Sequence, residues 1–354
     1  MIQLSDHFTY RRLLRYTFPS VIMLVFTSVY GVVDGFFVSN YVGKTPFAAV
    51  NFIIPFLLIL GSAGFMLGTG GGALIAKTMG ERNSEKAQKL FSFIVFISAI
   101  SGVVLALLGL VFLRQVAVLM GAEGQMLRDS VRYGRIILAG TPFYILQYEF
   151  QCLFPVAGKP KLGLYVTVLS GVTNMILDAF FVAVFQWGLE GAAAATAMSQ
   201  VVGGIIPICY FFRPNSSLLR LVKFRFNGGA LLKTCTNGSS ELMSNISMSL
   251  VSMLYNVQLM KYAGENGVAA YGVLMYVGMI FQAIFIGYSV GVAPVCSYHF
   301  GAADHDELKG VFRQSLVLIG IFSILMFVAG EILAKPLSIL FVGYHEELLQ
   351  ITSR

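Results

Sequence analysis

The chain has 354 residues, 57% hydrophobic and 12% charged, with a mean hydropathy of +0.78, which excludes a soluble domain of this length and predicts an all-α polytopic membrane protein. Its net charge of +7 does not signal nucleic acid, because the basic residues fall in short segments between apolar runs without interleaved aromatics. Cys152, Cys209, Cys235 and Cys296 are isolated, and His7, His299, His305 and His345 fall outside the apolar runs, so no disulfide, metal cluster, haem or other cofactor is expected.

The opening residues, MIQLSDHFTYRRLLR, are polar and lead into a run longer than a signal-peptide core, with no small-residue cleavage site behind it. The first span is expected to be retained. Apolar runs of about 20 residues or more predict nine spans, at 13–38, 47–76, 90–113, 132–156, 162–185, 190–212, 230–260, 267–298 and 311–333. With the N-terminus inside, 16 Lys and Arg fall on the inner side and 8 on the outer, so a cytoplasmic N-terminus and a multi-pass protein of the plasma (inner) membrane are expected. Half of the outer eight, Arg114, Arg128, Arg132 and Arg135, sit in LRQVAVLMGAEGQMLRDSVRYGR, which reads as an amphipathic interfacial stretch.

Acids within the apolar runs carry the functional signal, since a carboxylate in a membrane costs at least a few kcal/mol unless it faces water, a cation or a proton. Asp178 is one, and Asn174, four residues earlier, shares its helix face. After a turn around Trp187 to Gly191 the chain reverses and brings Thr196 back into the membrane. Counting about 1.5 Å per residue from the flanking charges puts Asp34, Asp178 and Thr196 in the outer half of the bilayer, with Asn174 one turn deeper. Two acids, an amide and a hydroxyl from three helices are thus expected in one pocket; an acid that only caps a helix or contacts its neighbour is the alternative. Glu241 is expected in the inner half, either as a cation-attracting or proton-carrying group or as a first-turn acid behind Asn237, Ser239 and Ser240. Glu149, in FYILQYEFQ, reads as a hydrogen-bonded packing residue. Tyr30, Phe36, Met253, Tyr255 and Tyr276 are candidates to line a cavity for flat cations, although at helical spacing such residues are more often core or lipid-facing. The run GTGGGALIAKTMG lacks the GK[ST] ending of a phosphate loop and reads as close helix packing.

The chain also repeats itself. YVGKTPFAAV from Tyr41 resembles YAGENGVAAY from Tyr262 at an offset of 262 − 41 = 221, which also carries Gly70 onto Gly291 and Gly80 onto Gly301. Such duplication predicts two similar helix bundles: 1–212, a basic cytoplasmic linker at 213–229, and 230–354. The acids do not repeat, because the offset places Tyr255 opposite Asp34 and Ser20 opposite Glu241. Arg354 aligns with Tyr133, so the second repeat has six spans' worth of pattern only in part, three spans short, and a fragment or shortened product is expected.

In TSVYGVVDGFFVSNYVG, FPVAGKPKLGLYVTVLSGVTNMILDAFFV, GLEGAAAATAMSQ, NGSSELMSN and GVAAYGV the chain resembles the multidrug and toxic compound extrusion (MATE) family of antiporters along its whole length. The resemblance implies two six-helix lobes around a central cavity and export of small organic cations against sodium or protons. It implies a cation or proton site at Asp34, Asn174, Asp178 and Thr196, a second-lobe acid at Glu241, and a monomer in the lipid bilayer with no nucleic-acid partner. The family's acid on helix 10 has no counterpart before the chain ends. Sodium prefers oxygen ligands, which these four residues supply, and two neighbouring carboxylates repel, so sodium and protons are expected to compete for the pocket. The rival readings are a lipid-linked sugar flippase of related architecture, which calls for more positive charge inside the spans, and a non-transporting fragment. An enzyme is not expected, because no nucleophile, base or metal-ligand set lies in the spans.

Overall fold

The computed structural model describes residues 3–42 and 44–342; His345 and the end of the second repeat lie outside them, as do the side chains of Phe36, Met253 and Tyr276. The elements are helices, with no strand among the described residues: α1 (Tyr10–Phe37), α2 (Lys44–Gly80), α3 (Ser84–Leu119), α4 (Gly124–Val156), α5 (Pro160–Asp178), α6 (Gly188–Phe212), α7 (Gly228–Gly301) and α8 (His305–Val342). Two short π-helical turns, Val38–Val42 and Ala179–Val184, follow α1 and α5.

Local chemistry sets these boundaries. Asn83 caps α3 by accepting from the Lys86 amide at 3.1 Å, and Asn227 caps α7 by accepting from the Ala230 amide at 3.0 Å, each satisfying an amide that has no partner inside the helix. Pro160 opens α5, where its missing N–H costs nothing. Gly158, at φ 70°, makes the tight turn between α4 and α5.

Helix α7 is recorded as 74 residues, which would be about 110 Å if straight. It is not straight. The rings of Tyr255 and Tyr271 stack with centroids 5.4 Å apart, whereas sixteen residues span about 24 Å along a straight helix. The element therefore doubles back between them, where the sequence placed the joint between spans 230–260 and 267–298, and helical hydrogen bonding simply continues around the bend. Both of its limbs return to α2: a Cβ on Gly238 would strike the Met66 carbonyl, and one on Gly301 the Lys77 carbonyl.

The offset of 221 reappears in these contacts. Gly80 abuts the Tyr298 carbonyl as Gly301 abuts that of Lys77, and 298 − 77 = 301 − 80 = 221. Gly70 abuts Gly238, and its counterpart Gly291 abuts Thr17, the counterpart of Gly238. The α1–α2 pair and the two limbs of α7 thus meet about an approximate two-fold axis, with backbones brought together by absent side chains. Gly71 and Gly72 of the GTGGG run face Ile94 and Val156, which is the packing role expected of that run.

All the loops that carry the inner-side charges lie at one end. There Phe91, Phe150, Phe154 and Phe211 form an aromatic core, and the Tyr16 hydroxyl donates to the Pro155 carbonyl at 2.6 Å. The segment before α1 packs Leu4 and Phe8 against Val295, Val311 and Leu318, with the Phe8 amide donating to Glu307 Oε1 at 2.7 Å. At the opposite end Val38, Ile53, Leu113, Ile137 and Ala192 form a second core.

Seven stretches among the described residues are long and apolar enough to cross a membrane; α4 and the first limb of α7 are not among them, two fewer than the sequence predicts. For α4 the physical reason is position. Helix α4 is packed between α2, α3 and α6 and buries Gln147, Glu149 and Gln151, so protein rather than lipid is its solvent. By contrast only 6% of the most apolar window of α8 is buried. The stretch 114–135 comprises the end of α3, a turn and the start of α4. Asp129, Ser130 and Tyr133 within it are buried.

Candidate cation site

Asp34 lies in the last turn of α1, Asn174 and Asp178 lie on one face of α5, and Thr196 lies two turns into α6. Each acid stands at or just before a π-helical turn, and the two turns touch. Wide turns of this kind break the regular backbone pattern and recur at functional sites. The structure brings the four expected residues together. Thr196 Oγ1 donates to Asp34 Oδ1 at 3.4 Å and accepts from Asn174 Nδ2 at 3.4 Å, both at the long limit for a hydrogen bond. The carboxyls of Asp34 and Asp178 are near enough to interact directly.

Burial is uneven across the group. Asn174 and Asp178 are 1% and 0% exposed, while Asp34 and Thr196 are half-buried. Asn174 Oδ1 and both carboxyl oxygens of Asp178 have no hydrogen-bond donor. A buried oxygen without a donor costs roughly 1–3 kcal/mol, more if charged, so three of them side by side are a strong demand for a cation or protons. Four oxygen-bearing groups without nitrogen or sulfur ligands suit a hard cation.

Sequence reasoning missed the tyrosines of α4, Tyr133, Tyr144 and Tyr148, but named Tyr30. Tyr133 of α4 is buried beside Thr196, Asp34 and Asp178. Tyr30, one turn before Asp34, lies by Gln147 and Tyr148, and the Tyr144 hydroxyl donates to that of Tyr148 at 3.1 Å. Below them Gln147 donates to Ser170 Oγ at 3.3 Å, and Ser170 donates to the Ser199 carbonyl at 2.7 Å. A signal existed: Tyr144, Gln147 and Tyr148 recur at three- and four-residue spacing on one helix face.

The other candidates lie elsewhere. Glu241 is half-buried on the first limb of α7 and, with Glu149, stands near Cys152 of α4. Glu149 is 0% exposed and sits by Ser98, but neither of its oxygens makes a hydrogen bond, so the satisfied packing role expected for it is not observed. Tyr255 is 53% exposed and stacks on Tyr271, with no hydrogen bond or ring contact to the Asp34 group among the described residues.

The MatE family model matches residues 19–180 and 242–354. The multidrug export protein MepA of Staphylococcus haemolyticus (strain JCSC1435) is 25% identical over 333 residues, covering 93% of this chain and 74% of the relative. MepA of Staphylococcus aureus (strain MSSA476) is 24% identical over 321 residues, covering 90% of this chain and 71% of its own length. Among solved structures, a MATE protein in complex with MaL6 superposes with a TM-score of 0.91 at 22% identity, over 98% of this chain and 77% of the other. A MOP superfamily transporter from Pyrococcus furiosus Vc1 (DSM3638), described as having a binding pocket of reverse polarity, gives a TM-score of 0.90 at 22% identity, over 98% and 77%. These superpositions establish the shared fold, and the family match, which spans most of the residues, establishes that the chain belongs to the MatE family, whose members are membrane transporters and not enzymes.

Proposed function

We propose that the chain is a secondary antiporter that exports organic cations or drugs in exchange for sodium or protons by alternating access. The observation that carries this reading is the set of buried, donorless oxygens of Asn174 and Asp178 beside Asp34 and Thr196. Cation or proton binding there relieves the unmet demand and draws α1, α5 and α6 together, so occupancy biases the helix positions that substrate meets. The printed names of the MepA relatives support drugs as cargo. Positive charge concentrated at one end supports a cytoplasmic N-terminus in the plasma membrane. The moving parts are 1–212 and 230–354, joined by 213–229 and acting as a monomer. Their contact at the basic end combines glycine against carbonyl with the packing of Leu4 and Phe8 on Val295, Val311 and Leu318. Tyr30 and Glu241 are assigned to the substrate cavity, with cation attraction as their role.

The test is transport by the purified chain in liposomes, wild type against Asp178→Asn, under an imposed sodium or proton gradient. Gradient-driven movement of a fluorescent organic cation in the wild type, abolished in the variant, is the expected outcome. Full activity in the variant would sink the reading. Direct sodium binding separates the coupling ions: saturable binding lost in Asp178→Asn assigns sodium, and transport driven by protons without sodium binding assigns protons.

A further inference from the structure

At the basic end a cleft of about 670 Å³ opens between the start of α3 and the linker before α7, lined by Lys86, Lys89, Lys223, Arg225, Phe93 and Phe226. Four cations converge on it from two separate segments. Lys89 is paired with Glu85 at 2.5 Å; Lys86, Lys223 and Arg225 form no ion pair among the described residues. The aromatic wall is ordered, with the Phe93 ring edge-on to Phe224 and Phe226 at 5.9 and 5.6 Å. The linker is fixed against α3, because the Val222 amide donates to Ser92 Oγ at 2.8 Å. The capped N-terminus of α7, at Asn227 and Gly228, closes the cleft.

What leaves the cleft is as informative as what lines it. From Lys89 the same face of α3 continues through Phe93 and Phe96 to Ile100, Val103, Leu107 and Val111, at spacings of three or four residues. The last five are exposed apolar side chains, 49% at Phe96 and 63% at Val111. A helix face of this kind is wetted by acyl chains. A ligand with a phosphate in the cleft and hydrocarbon along this stripe meets both surfaces; a free phosphate meets only the first.

We propose that this cleft binds the headgroup of an anionic membrane phospholipid, its phosphate between Lys86 and Lys89 of α3 and Lys223 and Arg225 of the linker, its acyl chains along the α3 stripe. The lipid ties the linker to α3 and so restrains the joint between the two halves of the chain. Basic residues near a membrane surface attract anionic lipid at about fivefold in affinity each.

Native mass spectrometry of the detergent-solubilised full chain, titrated with phosphatidylglycerol or phosphatidylcholine, tests this. One tightly held phosphatidylglycerol is expected, with phosphatidylcholine at least tenfold weaker. The triple variant Lys86→Gln, Lys223→Gln, Arg225→Gln should weaken phosphatidylglycerol at least tenfold. Arg11→Gln, Arg82→Gln, Arg213→Gln removes the same charge from the same end outside the cleft and should leave binding intact. Equal loss in both triple variants overturns the site in favour of general charge attraction. Equal binding of the two lipids overturns headgroup recognition. Displacement of the lipid by millimolar inorganic phosphate alone overturns the role of the α3 stripe. All these side chains are exposed, so unchanged helical circular dichroism is expected throughout.

Discussion

The α1–α2 pair and the two limbs of α7 are built on one pattern and diverge in chemistry. They share the glycines that let backbones touch, and the contacts of Gly80 and Gly301 map onto each other at the offset of 221. At the far end of the first pair stands Asp34, hydrogen-bonded to Thr196; at the equivalent position of the second stands Tyr255, exposed and stacked on Tyr271. Duplication therefore preserved the seam between the halves, where symmetry itself closes the contact. Among the described residues the grouped oxygens of Asp34, Asn174, Asp178 and Thr196 stand in the first half, where α5 and α6 supply the partners of Asp34.

The sharpest way to break this comparison is to remove the acid and its counterpart in turn. Asp34→Asn should reduce gradient-driven efflux to the level of empty liposomes, whereas Tyr255→Phe should leave it within about twofold, because loss of one exposed hydroxyl moves free energies by only about 0.5 kcal/mol. Comparable losses in the two variants would mean that both halves bind the coupling ion.

The seam makes the opposite prediction, symmetry instead of asymmetry. Leucine at Gly80 or at Gly301 must displace a backbone carbonyl rather than a flexible side chain, and overpacking of that kind costs about 3 kcal/mol. Thermal unfolding in detergent should show similar destabilisation for Gly80→Leu and Gly301→Leu. Gly320→Leu, on α8 with nothing within 4 Å of the added Cβ, should match the wild type. Destabilisation confined to one of the first two would show that the seam is not two-fold.

The difference between the halves also explains what the sequence disclosed. Asp34, Asn174, Asp178 and Thr196 were legible because polar groups in apolar runs are costly and so conspicuous, and helix geometry placed them within about one turn of one another in depth. The joint in α7 was legible to within a few residues, since Tyr255 and Tyr271 bracket the predicted gap at 261–266. Tyr133 was not legible. It lies in RDSVRYGR, whose charges suggest a water-facing surface, and only the rotation of α4 against α2 and α6 turns its ring inward. The burial of α4 was hidden for the same reason: a helix surrounded by helices needs less apolar surface than one surrounded by lipid. Glycine contacts such as Gly70 with Gly238 depend on which helices become neighbours, and composition does not encode that.

The smallest effect is also the one that assigns labour within the oxygen group. In the proposed site Thr196 would offer the cation a direct ligand, and it donates to Asp34 and accepts from Asn174. Tyr133 of α4 lies beside the acids and Thr196 and can orient the group without being a ligand. Loss of one net hydrogen bond is worth about 1 kcal/mol, or roughly fivefold in an equilibrium constant. Tyr133→Phe should therefore weaken sodium binding, or proton-driven efflux if protons are the coupling ion, by about fivefold. Thr196→Val should weaken it more, because it removes a ligand together with a hydrogen bond while keeping nearly the same volume. Thr196→Ser keeps the hydroxyl and should recover most of the loss. If Tyr133→Phe instead proves as damaging as Thr196→Val, the tyrosine hydroxyl is itself a ligand, and the site draws on four helices of the first half instead of three.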